Sequence, residues 1–173
     1  GGTIELESEE NVGSTFTVTV PFEIDHLVEN NASQKDSCPQ GMDLSGKRVL
    51  LVEDNVINME IAHAILREEH LNITEAKNGK EALEIFQNSK PNEYDVVIMD
   101  VMMPVMDGLE ATKAIRMLER EDAKKIPIIA MTANAFEEDR KACLDAGMNE
   151  HIGKPIDIPL LKSAITKLLT NKG

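Results

Sequence analysis

The stretch VVIMDVMMPVMDG, residues 96–108, decides how this chain folds. Four apolar residues of strand character, Val96 to Met99, run straight into an acid, Asp100, and a second acid, Asp107, stands beside Gly108. A run with no polar residue alternating along it reads as a strand covered on both faces, the habit of parallel sheets between helix layers. A carboxylate at the end of such a strand then needs a reason, because burying one without a partner is costly. Asp107 has a simple one: with Glu110 three residues on, it makes an N-terminal capping box for the helix that follows. The two acids have separate tasks.

Working outward, the pattern is regular from Lys47 onward. Five short apolar runs read as strands: RVLLVE (48–53), NITEA (72–76), DVVIMD (95–100), IPIIAMT (126–132) and EHIG (150–153). Amphipathic stretches lie between them. After the first strand, Ile57, Ile61, Ala62, Ile65 and Leu66 fall on one helical face, and Leu161, Ala164, Ile165 and Leu168 give the last helix its core stripe. Asn78 with Glu81 opens the second helix, and Asn134 with Glu137 opens the fourth, which stops at Gly147. Repeated strand–helix units with short loops imply a flavodoxin-like doubly wound α/β fold, a five-stranded parallel sheet of order 2-1-3-4-5 with helices on both faces.

That architecture explains Asp100. Ligands of open parallel sheets gather beyond the carboxyl ends of the strands, where the strand order reverses. Asp100 ends the third strand of the domain, and Glu53 and Asp54 end the first, its neighbour, so three carboxylates converge at one rim. Two unit charges about 4 Å apart at an effective dielectric near 20 repel by about 4 kcal/mol, which a sheet does not need for stability. Either the acids are partly protonated or a cation sits among them. Hard oxygen ligands, few in number and with room for water, favour Mg²⁺ over an all-protein Ca²⁺ cage.

The rest of the chain sets limits. At 173 residues and 42% hydrophobic content it can bury one good core and carry an appendage. Lys plus Arg number 18 against 31 Asp plus Glu, a net charge of -13, so nucleic acid would meet a repulsive field. No apolar run approaches the roughly 18 residues of a membrane span, and the two cysteines, Cys38 and Cys143, are too far apart for a zinc or redox motif. A cytoplasmic setting fits, with a parent protein that can be membrane-anchored. Residues 26–45 are polar and turn-rich, as a linker should be, and separate the domain at 46–173 from residues 1–25. In that first piece TIELESEE and STFTVTVPF alternate as a hairpin whose Gly13 takes a positive φ. Two strands alone are marginal in water, so this piece reads as the tail of something larger.

Four motifs carry a family resemblance. LLVEDN, MDVMMPVMDG, PIIAMTA and GKP, each at a strand end and in this order, resemble the receiver domain of two-component signalling proteins over residues 46–170. The resemblance implies Asp100 as phosphoacceptor. It implies Glu53, Asp54, Asp100 and the backbone carbonyl of Met102 as the Mg²⁺ site, Thr132 as switch hydroxyl and Lys154 as the lysine of the site, with a cis Lys154–Pro155 peptide. His151 departs from the pattern, since the family commonly has Tyr or Phe there as a rotating switch. GGTIELESEENVGSTFTVTVPF resembles the last two strands of the ATP-binding domain of sensor histidine kinases, with a generic hairpin behind a Gly-Gly cloning scar as the alternative. No Gly-rich phosphate loop accompanies it, so this chain is expected neither to bind ATP nor to phosphorylate a histidine.

Together the resemblances imply the receiver of a hybrid sensor histidine kinase. Such a receiver takes a phosphoryl group from a phosphohistidine donor, the histidine kinase domain, and relays it to a histidine phosphotransfer protein. A stand-alone response regulator with an unrelated extension is the alternative. An aspartyl-phosphate phosphatase would want an acid two residues after the nucleophile, where Met102 stands, and a flavodoxin-like cofactor carrier would find its phosphate repelled by Glu53 and Asp54. The cluster Met99, Met102, Met103 and Met106 reads as packing and loop filling, with no His or Cys beside it to suit a soft metal. His63 and His70 read as surface or boundary residues, and Cys143 as core, seven residues after Phe136.

Overall fold

The computed structural model describes residues 2–9, 13–21, 43–133 and 137–170. Residues 26–42 of the expected linker, with Cys38, Asn134 and Phe136, lie outside them. The chain divides into two compact units, Gly1–Pro39 and Gln40–Gly173.

In the first unit β1 (Thr3–Glu9) and β2 (Gly13–Thr19) pair antiparallel. Gly13 has φ +140 with open space around the missing side chain, as the turn demands. Ile4 lies opposite Val18 and Leu6 opposite Phe16, so strand alternation gathers these four on one face, and all four are exposed.

In the second unit β3 (Arg48–Val52), β4 (Asn72–Ala76), β5 (Val96–Asp100), β6 (Ile128–Thr132) and β7 (Glu150–Gly153) form one parallel sheet of order β4-β3-β5-β6-β7. This is the expected 2-1-3-4-5. Alternate residues of β5 feed two cores: Val97 and Met99 pack with Leu50, Val52, Phe86, Ile115 and Cys143, while Val96 and Ile98 pack with Val49, Leu51, Leu66, Leu161 and Ile165. The central strands β3, β5 and β6 are thus buried on both sides, each large aliphatic side chain contributing about 1.5–3 kcal/mol. The fourth strand starts two residues later than expected, after Pro127, whose ring nitrogen has no hydrogen to donate.

The helices are α1 (Val56–Glu68), α2 (Gly79–Asn88), α3 (Gly108–Met117), α4 (Glu121–Lys125), α5 (Glu137–Ala146) and α6 (Ile158–Thr170). The face expected for α1 is corrected in part. Ala62 and Leu66 are buried, but Ile57 and Ile61 are 67% and 50% exposed, and Met59 takes the inward position. The Asn55 cap, whose Oδ1 accepts from the backbone N–H groups of Ile57 and Asn58, fixes where the helix starts. Asn78 and Asp107 cap α2 and α3 through the N–H groups of Glu81 and Glu110, and Glu81 Oε2 reaches back to the Lys77 N–H. α5 ends at Gly147, φ +98, where the N–H groups of Gly147 and Met148 bond the carbonyls of Leu144 and Cys143. Leu161, Ala164 and Ile165 are buried under α6, with Leu168 partly so. The short α4 was not expected from the pattern.

Two arginines fasten the amino-terminal ends of the strands. Arg116 donates to the carbonyls of Ala123 (2.7 Å), Ile126 (2.8 Å) and Gly147 (2.9 Å) and to Asn149 Oδ1 (3.1 Å). Arg120 lies over the Phe86 ring, donates to the carbonyls of Phe86, Gln87, Ser89 and Lys90 at the end of α2 and just past it, and pairs with Asp122 at 2.8 Å.

Candidate functional site

The carboxyl ends of β3 and β5 bring Glu53, Asp54 and Asp100 together, with one carboxylate oxygen of each within 4.8 Å of the others. Glu53 and Asp100 are buried, at 2% and 4% exposure, and Asp54 is exposed. Lys154, just after β7, reaches across the sheet and donates to Glu53 Oε2 at 2.6 Å and Asp100 Oδ2 at 2.7 Å. The remaining oxygens have partners of their own. Glu53 Oε1 accepts from Asn58 Nδ2 at 2.9 Å, and Asp100 Oδ1 accepts from the Met102 backbone N–H at 3.2 Å.

The electrostatics follow from that arrangement. Burial pushes the Asp100 carboxyl above the ordinary carboxylate range, and the Glu53 charge adds to the rise against the opposing hydrogen bond and charge of Lys154. Burial alone would lower Lys154, but its bonds to Asp100 and Glu53 win and raise it. The ammonium therefore stays charged and holds the two acids in one place.

Thr132 ends β6 and is 3% exposed, next to the strand that carries Lys154; its carbonyl accepts the Lys154 N–H at 2.7 Å. The Lys154–Pro155 peptide is cis. Met102 follows Asp100 in the loop with its side chain 73% exposed, so its part at the site runs through its backbone. Met99 and Met103 are buried packing residues. His151 lies beside Ala130 in the β6–β7 register, and its Nδ1 is buried with no hydrogen-bond partner among the described residues.

Two residues of this neighbourhood escaped the sequence reading. Asn58 holds Glu53 from the first turn of α1, five residues away, where only the strand-to-helix turn brings the two together. Gly108 lets α3 approach β5, since a Cβ there would stand 2.1 Å from the Asp100 carbonyl oxygen. Glycine beside Asp107 is a steric requirement of the site.

The donor set suits a hard divalent cation. Three carboxylates with oxygens gathered at an open strand-end rim, and a single ammonium to offset them, leave an excess of anionic oxygen that Mg²⁺ fits.

The response regulator receiver domain model matches residues 49–166. This chain belongs to the receiver domain family. As a receiver it is a module of two-component phosphorelay signalling. It is 36% identical over 168 residues to the aerobic respiration control sensor protein ArcB of Escherichia coli K12, a match covering 96% of this chain and 20% of that protein. The receiver domain of sensor histidine kinase PA1611 from Pseudomonas aeruginosa PAO1, solved with a magnesium ion coordinated in the active site cleft, is 36% identical with a TM-score of 0.65, over 73% of this chain and 99% of that one. The receiver domain of the Saccharomyces cerevisiae response regulator Ssk1, solved with the histidine phosphotransfer protein Ypd1, is 32% identical with a TM-score of 0.66, over 73% and 91%. The chain spans 5% to 20% of the length of the curated relatives it matches here, two hybrid signal transduction histidine kinases of Dictyostelium discoideum among them. Among the described residues no helix is long and apolar enough to cross a membrane.

Proposed function

We propose that Asp100 accepts a phosphoryl group from a phosphohistidine donor at a Mg²⁺ site made by Glu53, Asp54, Asp100 and the Met102 carbonyl, and that the group passes on to a histidine phosphotransfer protein. The observation that carries this reading is the Lys154 ammonium shared between Glu53 Oε2 and Asp100 Oδ2 at 2.6 and 2.7 Å, beside the third acid, Asp54. A carboxylate so buried yet kept beside a cation has the makings of a nucleophile.

An Asp100 oxygen attacks phosphorus as the bond to the donor imidazole nitrogen breaks, the electron pair returning to that nitrogen, and the side chain becomes an acyl phosphate. Phosphoryl transfer asks the protein mainly for positioning and charge neutralisation. Lys154 supplies a mobile positive charge that can exchange a carboxylate oxygen for a phosphoryl oxygen, and bound Mg²⁺ would neutralise further oxygens of the group. The Thr132 hydroxyl gains a phosphoryl partner only in the modified state, which draws its loop inward and biases the surface near β6 and β7. His151, in place of the commoner aromatic residue, is too polar to act by apolar packing alone.

The exposed apolar residues Val56, Ile57 and Ile61 on α1, which starts at the same rim, support a partner that covers this helix while reaching Asp100. The Ssk1 receiver solved with Ypd1 supports a phosphotransfer protein in that role. The bare apolar face of Ile4, Leu6, Phe16 and Val18, and a match to ArcB that takes in 96% of the chain, support residues 1–25 as the last strands of a kinase ATP-binding domain, residues 26–45 as its linker and residues 46–173 as the receiver of a hybrid kinase.

The test is intact-mass measurement after incubation with Mg²⁺ and a small acyl-phosphate donor. One base-labile phosphoryl group is expected on the wild type and none on Asp100→Asn; label that persists on the variant at another residue overturns the assignment.

A further inference from the structure

We propose that Asn58 is a positioning residue for the metal site, holding Glu53 in its ligating pose at the times when Lys154 does not. The inference rests on the reading of Glu53 as part of a Mg²⁺ site. Glu53 has two carboxylate oxygens and each has one hydrogen-bond donor: Lys154 Nζ on Oε2 and Asn58 Nδ2 on Oε1. The two donors differ in kind. Lys154 also bonds Asp100 and carries the charge that a phosphoryl group on Asp100 would attract, so its bond to Glu53 is conditional. Asn58 is neutral, serves Glu53 alone among the described hydrogen bonds of its side chain, and gains nothing from the phosphoryl group.

The backbone fixes this donor in advance. The Asn55 side chain accepts the Asn58 N–H at 3.2 Å and so sets the first turn of α1, and the half-buried Asn58 side chain then points back at the strand end that α1 has just left. With Glu53 only 2% exposed, its carboxylate cannot swing out to water for replacement donors. Loss of Asn58 leaves Oε1 without its donor, and when Lys154 also leaves Oε2 nothing described holds the carboxylate toward Asp54 and Asp100. Partners of metal-binding side chains of this sort are worth about 10–100-fold in metal affinity.

The test is isothermal titration of the full chain with Mg²⁺ alone, with no phosphoryl donor present, alongside a thermal melt in chelator. Asn58→Ala and Asn58→Leu are expected to weaken Mg²⁺ binding by about tenfold, Asn58→Gln to recover part of the loss, and the effect of Asn58→Ala to grow in a Lys154→Met background. A folded Ala or Leu variant that binds Mg²⁺ within about twofold of the wild type overturns the proposal. Wild-type protein that fails to bind Mg²⁺ overturns the metal reading beneath it, a separate result. A lower melting point with unaltered affinity would make Asn58 a fold residue only and would count against the proposal.

Discussion

Replacing Lys154 by Met keeps the length of the side chain and removes its charge. The wild-type ammonium is bonded to two carboxylates whose side chains are 1% and 5% exposed, and is itself 18% exposed. Removing one partner of a buried ion pair costs about 3–5 kcal/mol, because the partner is left charged and unpaired. The site can relieve part of that by taking up a proton, so the lower end, about 3 kcal/mol, is expected at neutral pH, or roughly 10–15 °C in Tm for a domain of this size. The pH dependence has a definite sign. Asp100 already titrates above its ordinary value because of burial, and without the lysine it rises further. A carboxyl with its folded value above the unfolded one penalises folding as pH climbs through that interval. The deficit of Lys154→Met is therefore largest near pH 7 and shrinks toward about pH 4. Mg²⁺ at about 100 times its Kd should restore about 2.7 kcal/mol. Thermal unfolding followed by circular dichroism, in chelator and in Mg²⁺ across this pH range, measures all three. A variant that melts in chelator within about 2 °C of the wild type would refute the reasoning.

Gly108→Ala forces a Cβ to within 2.1 Å of the Asp100 carbonyl oxygen, a backbone atom that cannot turn aside, so a loss of at least about 1–3 kcal/mol in chemical denaturation and slower phosphorylation are expected. Arg120→Ala removes the guanidinium from four carbonyls and from Asp122, at about 2–3 kcal/mol in urea unfolding at neutral pH. The Arg120 hydrogen bond holds Asp122 down to about 2, so its contribution is present above the unfolded carboxylate value and lost as pH falls through about 2. The gap between wild type and Arg120→Ala should narrow over that range.

The sheet was legible because its central strands are buried on both faces: Val96 to Met99 must be apolar whichever way each side chain points, so the run stands out without periodicity. Caps were legible because Asn78 and Asp107 act on N–H groups three residues away. The face of α1 was harder. Its sequence carries two apolar stripes, Met59-Ala62-Leu66 and Ile57-Ile61-Ile65, and only tertiary packing chooses between them. α4 has five residues, too few for a period. At the site, strand ends pointed to Glu53, Asp54 and Asp100, and the family likeness to Thr132 and Lys154. Asn58 stood five residues from the acid it serves, a spacing that means nothing until the strand-to-helix turn is known.

Arg116 and Arg120 tie together the loops at the rim opposite the acids, where no strand pairing could do it. That margin of the sheet is therefore pinned by side-chain bonds to carbonyls, while the margin that carries Asp100 is held by Lys154 across β3 and β5. Neither guanidinium has a described bond to Glu53, Asp54 or Asp100, so stability at one end of the sheet can be altered without touching the acids at the other.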